Sequence, residues 1–219
     1  MEADDEEARP GADDDSHAEV LERWVPRLQR WFIIVGLALL VGMAGFLVGE
    51  WASQPDSSEV DIGFLQDMSN HHEQAVQMAS IAVIEAQDPV VREFAKEVLI
   101  TQQRELGLME AWLRERGEER LGSDREGMAW MDMAMPVAQM PGMATQEQID
   151  ELRAAEGAEV DLAFLTLMRE HHQGGLHMAE DAATRASDAE VAELARVIAR
   201  NQRAEIPEYT MVLERLQGG

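Results

Sequence analysis

The chain contains no cysteine, so disulfides, thiolate metal sites and thiol catalysis are all excluded. Basic residues are scarce: 18 Lys and Arg stand against 43 Asp and Glu, for a net charge of -25. Phosphate backbones are held by clustered cationic side chains, so a nucleic-acid partner is excluded as well. No nucleophile motif, phosphate-cradling loop or dinucleotide fingerprint occurs in the 219 residues. That leaves metal chemistry as the only catalytic option, and a binding protein as the better-supported class.

Charge is also missing from one stretch. Residues 31–49 read WFIIVGLALLVGMAGFLVG, without an ionisable side chain. At ~1.5 Å of rise per residue, a helix over this stretch spans about one bilayer core. Trp24, Trp31 and Trp51 bracket it, as interfacial indoles do. Arg23, Arg27 and Arg30 precede it, while Glu50, Asp56 and Glu59 follow. The positive-inside rule then puts the N-terminus in the cytoplasm and the rest of the chain outside. A cleaved signal peptide is disfavoured by the long acidic leader and by an apolar run above the usual ~7–15 residues.

The expected organisation starts with an acidic tail over residues 1–30, a transmembrane helix over 31–50 and a linker over 51–59. The tail carries Asp4, Asp5, Glu6, Glu7, Asp13, Asp14 and Asp15, a composition that stays solvated and disordered.

Beyond the linker the chain states one pattern twice, 100 residues apart. Asp61, Phe64, Met68, His71, His72, Met78 and Ala79 return as Asp161, Phe164, Met168, His171, His172, Met178 and Ala179. Downstream, Asp88, Val91, Ala95, Gln102, Glu105 and Leu113 return as Asp188, Val191, Ala195, Gln202, Glu205 and Leu213. Such self-similarity marks a duplicated supersecondary unit.

Each unit reads as a helical hairpin, over 60–116 and 147–217, with a connection over 117–146. Asp88 followed by Pro89 predicts the start of the second helix, and Gly117 its end. In the second copy Ser187 is the expected N-cap, with Glu190 completing a capping box. Pro207 predicts a kink or break in the last helix. Thr145 to Ala155 predicts a short extra helix, set off by Gly157. Two hairpins pack most simply as a four-helix bundle, so the fold class is all-α.

At ~100° per residue, Asp61, Phe64, Met68, His71, His72, Ala75, Met78 and Ala79 share one inward face. Gln102 with Glu105, and Gln202 with Glu205, interrupt the apolar stripes of the partner helices. Buried polar groups need partners, and the imidazoles of the preceding helix are the natural ones. A glutamate that holds a histidine by its second nitrogen is the common outer arrangement of a metal site. The expected ligands are therefore His71, His72, His171, His172, Met68, Met78, Met168 and Met178, with Gln102, Glu105, Gln202 and Glu205 behind them. The competing reading is a set of satisfied core histidines with Met as gap-filler.

Thioether and imidazole without thiolate suit copper, above all Cu(I), and also Ag(I). A di-iron bundle would need Glu three residues before each His; Met68 and Met168 stand before His71 and His171 instead. The connection adds Met128, Met131, Met133, Met135, Met140 and Met143, six of the chain's 14 methionines. Loops carry few large apolar residues, so these methionines, with His177 as a peripheral addition, are expected either to capture metal or to form an apolar lid. His17 lies in the tail and has no expected role.

With these residues in view, the chain resembles the domain-of-unknown-function family number 305. The repeated Asp-Phe-Met-His-His-Met-Ala helix, the Gln and Glu of the partner helix, and Met140-Pro141-Gly142-Met143 carry the resemblance over roughly 60–217. Gly175 in place of Ala75 departs from the repeat and leaves room near the site. Tyr209 in place of Met109 removes a sulfur from the second half. The resemblance implies a ferritin-like four-helix fold outside the cytoplasm, with copper binding among relatives. It implies no agreed activity, so a metal-dependent oxidase and a plain structural or interaction module stay open beside copper buffering, resistance or delivery. The expected partners are a metal ion and the membrane, with a second copy or an envelope copper-handling protein as candidate protein partners.

Overall fold

A computed structural model describes residues 30–46 and 57–218 of the chain. Nearly all of the acidic tail with His17, the flanking Arg23, Arg27, Trp24, Glu50 and Trp51, and most of the linker lie outside the described residues. The chain divides into two units, one ending at Gln54 and one starting at Pro55.

In the first unit, residues 30–46 form a helix, α1. Its large apolar side chains, from Trp31 to Phe46, are exposed. Among the described residues no helix is long and apolar enough to cross a membrane. The end of the expected span, 47–50, lies outside them.

The second unit is helical, as its apolar spacing predicts. Four long helices, α2 (Glu59–Glu85), α3 (Pro89–Glu115), α5 (Ala158–Arg185) and α6 (Ala189–Gln217), are joined by short α4 (Gln146–Ala154) and a small two-stranded sheet. Turns of three residues link α2 to α3 and α5 to α6, so each pair folds back on itself. The two hairpins meet mainly where α2 packs on α5.

Local chemistry sets the boundaries. Ser58 and Asp61 form a capping box that starts α2, and Thr145 with Gln148 does the same for α4. Asp88 caps α3, and its carboxylate accepts from the backbone of Val90 and Val91. Gly117 ends α3 with φ of +71°, which a side chain would resist. The expected Ser187 cap is replaced by Asp188, which accepts from Glu190 and Val191. Asp188 is better placed because Arg116 also pairs with its carboxylate. The expected break at Pro207 is absent, since α6 runs through it as one helix. Proline removes one helical hydrogen bond, while buried Tyr209, Val212 and Leu213 anchor the next turns.

Asp61 and Asp161 also explain why the duplicated unit needs an acid there. Asp161 reaches across to the α2–α3 turn and accepts from the backbone of Gln87 (2.9 Å) and Asp88 (3.0 Å). Asp61 accepts in return from the backbone of Asp188 at 3.2 Å. Each hairpin thereby pins the turn of the other.

The connection packs against α2 as a folded strap. Its strands, β1 (Glu126–Gly127) and β2 (Met135–Pro136), pair antiparallel. Asp67, 1% exposed, accepts from Arg125 (2.7 Å), the Met128 backbone (2.6 Å) and the Trp130 indole (2.8 Å). The Trp130 ring lies where a side chain at Gly63 would stand. Gln66 and Asn70 bond the carbonyls of Glu119 and Leu121. None of these four residues has its like in the second copy, where Ala163, Thr166, Leu167 and Glu170 stand. Replacing Asp67 with Ala strands three donors, two of them buried, and should lower the stability by roughly 3 kcal/mol; denaturant unfolding of the wild type and the variant measures it.

Candidate metal centre

His71, His72, His171 and His172 are fully buried between the hairpins. The sequence puts two adjacent imidazoles on each first helix, and the packing of α2 on α5 brings the pairs together. His71 and His171 stack with ring centroids 3.7 Å apart and planes inclined by 36°. His72 Nε2 lies 2.9 Å from Glu105 Oε2, and His172 Nε2 lies 2.7 Å from Glu205 Oε2. Each carboxylate thus holds a ring by Nε2 and leaves a buried Nδ1 without a partner.

Five ring nitrogens have no hydrogen-bond partner: Nδ1 of all four histidines and Nε2 of His171. Burial, reinforced by His72, lowers the His71 pKa to about 3, against the hydrogen bond that His71 donates to the Pro141 carbonyl. Burial likewise takes His171 well below its ordinary value, with His71 adding to the effect. These two rings are therefore neutral at physiological pH, with lone pairs available. Buried, neutral and unpartnered imidazole nitrogens fit a soft or borderline metal ion.

No group of three or more His, Asp or Glu side chains poised to hold an ion occurs among the described residues. The stacked faces of His71 and His171 point ring planes, rather than nitrogens, at each other. An ion shared by the two requires the rings to turn.

The expected sulfur ligands are all fully buried, in two apolar clusters. Met68 and Met178 join one cluster with Met109, Met128 and Met140. Met78 and Met168 belong to the other, with Phe164 and Leu213. Along α2 and α5 these clusters lie on either side of the imidazole layer, so every histidine pair has one sulfur-bearing cluster before it and one after it. Gln102 and Gln202 are buried too, but their Oε1 atoms have no partner. The Gln202 carboxamide and the His71 ring fill the space a side chain at Gly175 would take, so the expected spare room there is already occupied.

The Met140–Ala144 segment closes one side. His71 Nε2 donates to the Pro141 carbonyl at 3.2 Å. Gln74 grips Ala144 twice, donating to its carbonyl (2.8 Å) and accepting from its N–H (2.7 Å). At the matching position of the second copy stands Gly174, whose missing side chain admits the Pro141 carbonyl. Of the connection's methionines, Met128 and Met140 are buried, Met131, Met135 and Met143 pack partly against the cluster, and Met133 is exposed. His177 is exposed and shares a surface cavity with Met143, Glu170 and Gln173.

Sequence reasoning missed two contacts. One is the Pro141 carbonyl on His71, whose signal was the Gln74-to-Gly174 departure from the repeat. The other is Tyr209, buried 5.3 Å from the His172 ring and 5.1 Å from Phe94. Burial and the neighbouring Glu205, which the phenol also hydrogen-bonds, raise its pKa well above the ordinary range, so it stays a donor. Gly174→Ala would drive a methyl into the Pro141 carbonyl. Although Ala gains about 1 kcal/mol of helix propensity over Gly, the clash should cost a net 1–2 kcal/mol or so, measured by denaturant unfolding.

The sequence profile described as "Domain of unknown function (DUF305)" matches residues 61–213. No match was found among curated proteins. Among solved structures, a DUF305 protein of Streptomyces coelicolor is 34% identical, with a TM-score of 0.66 over 72% of this chain and 94% of that one. A DUF305 fragment from Deinococcus radiodurans is 29% identical, with a TM-score of 0.64 over 74% and 99%. CopM in its Cu(I)-bound form is 25% identical, with a TM-score of 0.53 over 71% and 96%. With its duplicated hairpin matched from Asp61 to Leu213, the chain belongs to the DUF305 family.

Proposed function

We propose that this chain is a membrane-anchored, extracytoplasmic copper-binding protein that takes Cu(I), and equally Ag(I), into a four-helix bundle for buffering, resistance or delivery. The observation that carries the reading is the stacked His71–His171 pair, with buried nitrogens lacking any partner. His71, His72, His171 and His172 supply imidazole nitrogen. Met68, Met78, Met168 and Met178 supply thioether sulfur from the clusters on either side. Soft thioether with borderline imidazole is a donor set for Cu(I). Glu105 and Glu205 hold the far nitrogens of His72 and His172, which fixes ring orientation and raises ligand basicity. Gln102 and Gln202 stand behind them.

Copper is cargo here, and the protein's part is to bind it, shield it from water and release it. The Met140–Ala144 segment lies over the imidazoles, while Met131, Met133, Met135, Met143 and His177 offer weaker donors nearer the surface. A relative crystallised with Cu(I) supports the choice of ion. The exposed apolar stretch of α1 over 31–46 supports the anchor, since such a helix surface asks for a lipid or protein environment. With the arginines before it, the bundle stands outside the cytoplasm.

Competition with a Cu(I)-selective chelator tests the binding. The full-length chain should retain Cu(I) that the His71→Gln/His171→Gln double variant surrenders, and Glu105→Ala should weaken binding about 10–100-fold. Equal retention by wild type and double variant would remove the basis of the proposal. The anchor has its own test. The full-length chain should stay with the membrane pellet after alkaline extraction, and a variant lacking residues 1–50 should not.

A further inference from the structure

Three of the four buried imidazoles hydrogen-bond through Nε2 to an oxygen that accepts. The carboxylates of Glu105 and Glu205 do this for His72 and His172. For His71 the acceptor is the Pro141 carbonyl, at 3.2 Å. A neutral imidazole carries one N–H and one lone pair. A carbonyl oxygen accepts and never donates, so His71 holds its proton on Nε2 and its lone pair on Nδ1. That Nδ1 is buried and makes no hydrogen bond. His171 has no such acceptor at either nitrogen.

The carbonyl that meets His71 belongs to neither hairpin. It comes from the connection, whose backbone is shaped to aim it. The Met143 N–H donates to the Met140 carbonyl at 3.0 Å, and Gly142 has φ of +83°. With proline second and a glycine of positive φ third, Met140 to Met143 form a type II turn. A type I turn would reverse the central peptide and carry the Pro141 carbonyl away from the ring.

Both hairpins hold this turn in place. A side chain at Gly142 would start 2.7 Å from the Glu170 carbonyl and 2.8 Å from that of His171, so the turn lies directly on the α5 backbone. A Cβ at Gly174 would stand 1.9 Å from the Pro141 carbonyl oxygen. On the other side, Gln74 of α2 fixes Ala144 by two hydrogen bonds. An apolar lid needs only buried side chains. Here a backbone oxygen is aimed at one ring by α2, α5 and the turn type together.

We propose that the Met140–Met143 turn is a positioning element for His71: its Pro141 carbonyl fixes the ring as the Nε2–H tautomer and so makes Nδ1 the nitrogen that meets the ion. The assignment of Nδ1 as ligand rests on the copper reading above, whereas the tautomer is a property of the metal-free chain. The turn does for His71 what Glu105 does for His72. The connection thereby has a role that its sulfur atoms do not supply, since His71 is set for an ion only while the turn is docked.

The test uses the full-length chain in detergent, copper-free and labelled with ¹⁵N at histidine. Two-bond ¹H–¹⁵N spectra distinguish a protonated ring nitrogen from a bare one, and a His71→Gln variant identifies the His71 signals. The wild type should show His71 protonated at Nε2 and bare at Nδ1. Gly142→Ala, which resists positive φ and meets the α5 backbone, should lose that signature. So should Gly174→Ala, the milder change, which displaces the carbonyl. Pro141→Ala keeps the carbonyl and should keep the signature. In chelator competition both glycine variants should bind Cu(I) about 10–100-fold more weakly than the wild type, and Pro141→Ala about as tightly. His71 protonated at Nδ1 in the wild type would overturn the proposal. So would glycine variants that keep the wild-type tautomer, or that hold Cu(I) as tightly as the wild type. Because the tautomer is read without copper, it can fail while Cu(I) binding stands, and Cu(I) binding can fail while the tautomer stands.

Discussion

Four imidazoles enclosed between α2 and α5 are the constraint on which the rest of the domain depends. Five of their nitrogens find no partner in the protein. A buried polar atom left without a hydrogen bond costs ~1–3 kcal/mol, so the layer carries a penalty approaching the ~5–15 kcal/mol of stability typical of a whole domain. The surrounding structure offsets it. Apolar clusters close on both sides of the layer, Asp61 and Asp161 clamp the opposite turns, and Glu105 and Glu205 satisfy two rings from behind. A fold that keeps such a layer intact has an interior that an ion would stabilise.

One connection serving two similar hairpins accounts for most of the differences between the copies. It leaves α3, crosses α2 and returns to α5, so α2 carries most of the groups that receive it, while Arg185 of α5 donates to the Trp130 carbonyl at 2.9 Å. Asp67, Gln66 and Asn70 bond its backbone and side chains, where the second copy carries Leu167, Thr166 and Glu170. At the next position the two helices share the work. Gln74 grips Ala144, and Gly174 makes room for Pro141. The methionines of the connection follow the same logic, since Met128 and Met140 fill the cluster beneath the strap while Met133 stays outside.

Much of this was legible in the chain, for physical reasons. Helical spacing and the caps at Asp88 and Thr145 place the four long helices and α4 within a residue or two. The inward faces of α2 and α5, from Asp61 to Ala79 and its repeat, are buried as spaced. The pairing of His72 with Glu105 follows from two polar residues on facing stripes. What the sequence hides depends on contacts between elements distant along it. Asp188 displaces Ser187 as a cap because of Arg116, 72 residues away. Pro207 sits in an unbroken helix because later turns are anchored in the core. The stacking of His71 on His171, and the filling of the Gly175 space by Gln202, emerge only when the hairpins dock.

The central claim is that the imidazole layer is where copper goes. Crystals of the Cu(I)-loaded chain, measured with anomalous scattering at the copper edge, test it most directly. The account predicts a copper peak against Nδ1 of His71 and a nitrogen of His171, with the two rings turned out of their 3.7 Å stack. A peak confined to the outer methionines and His177, with the stack unchanged, would contradict it.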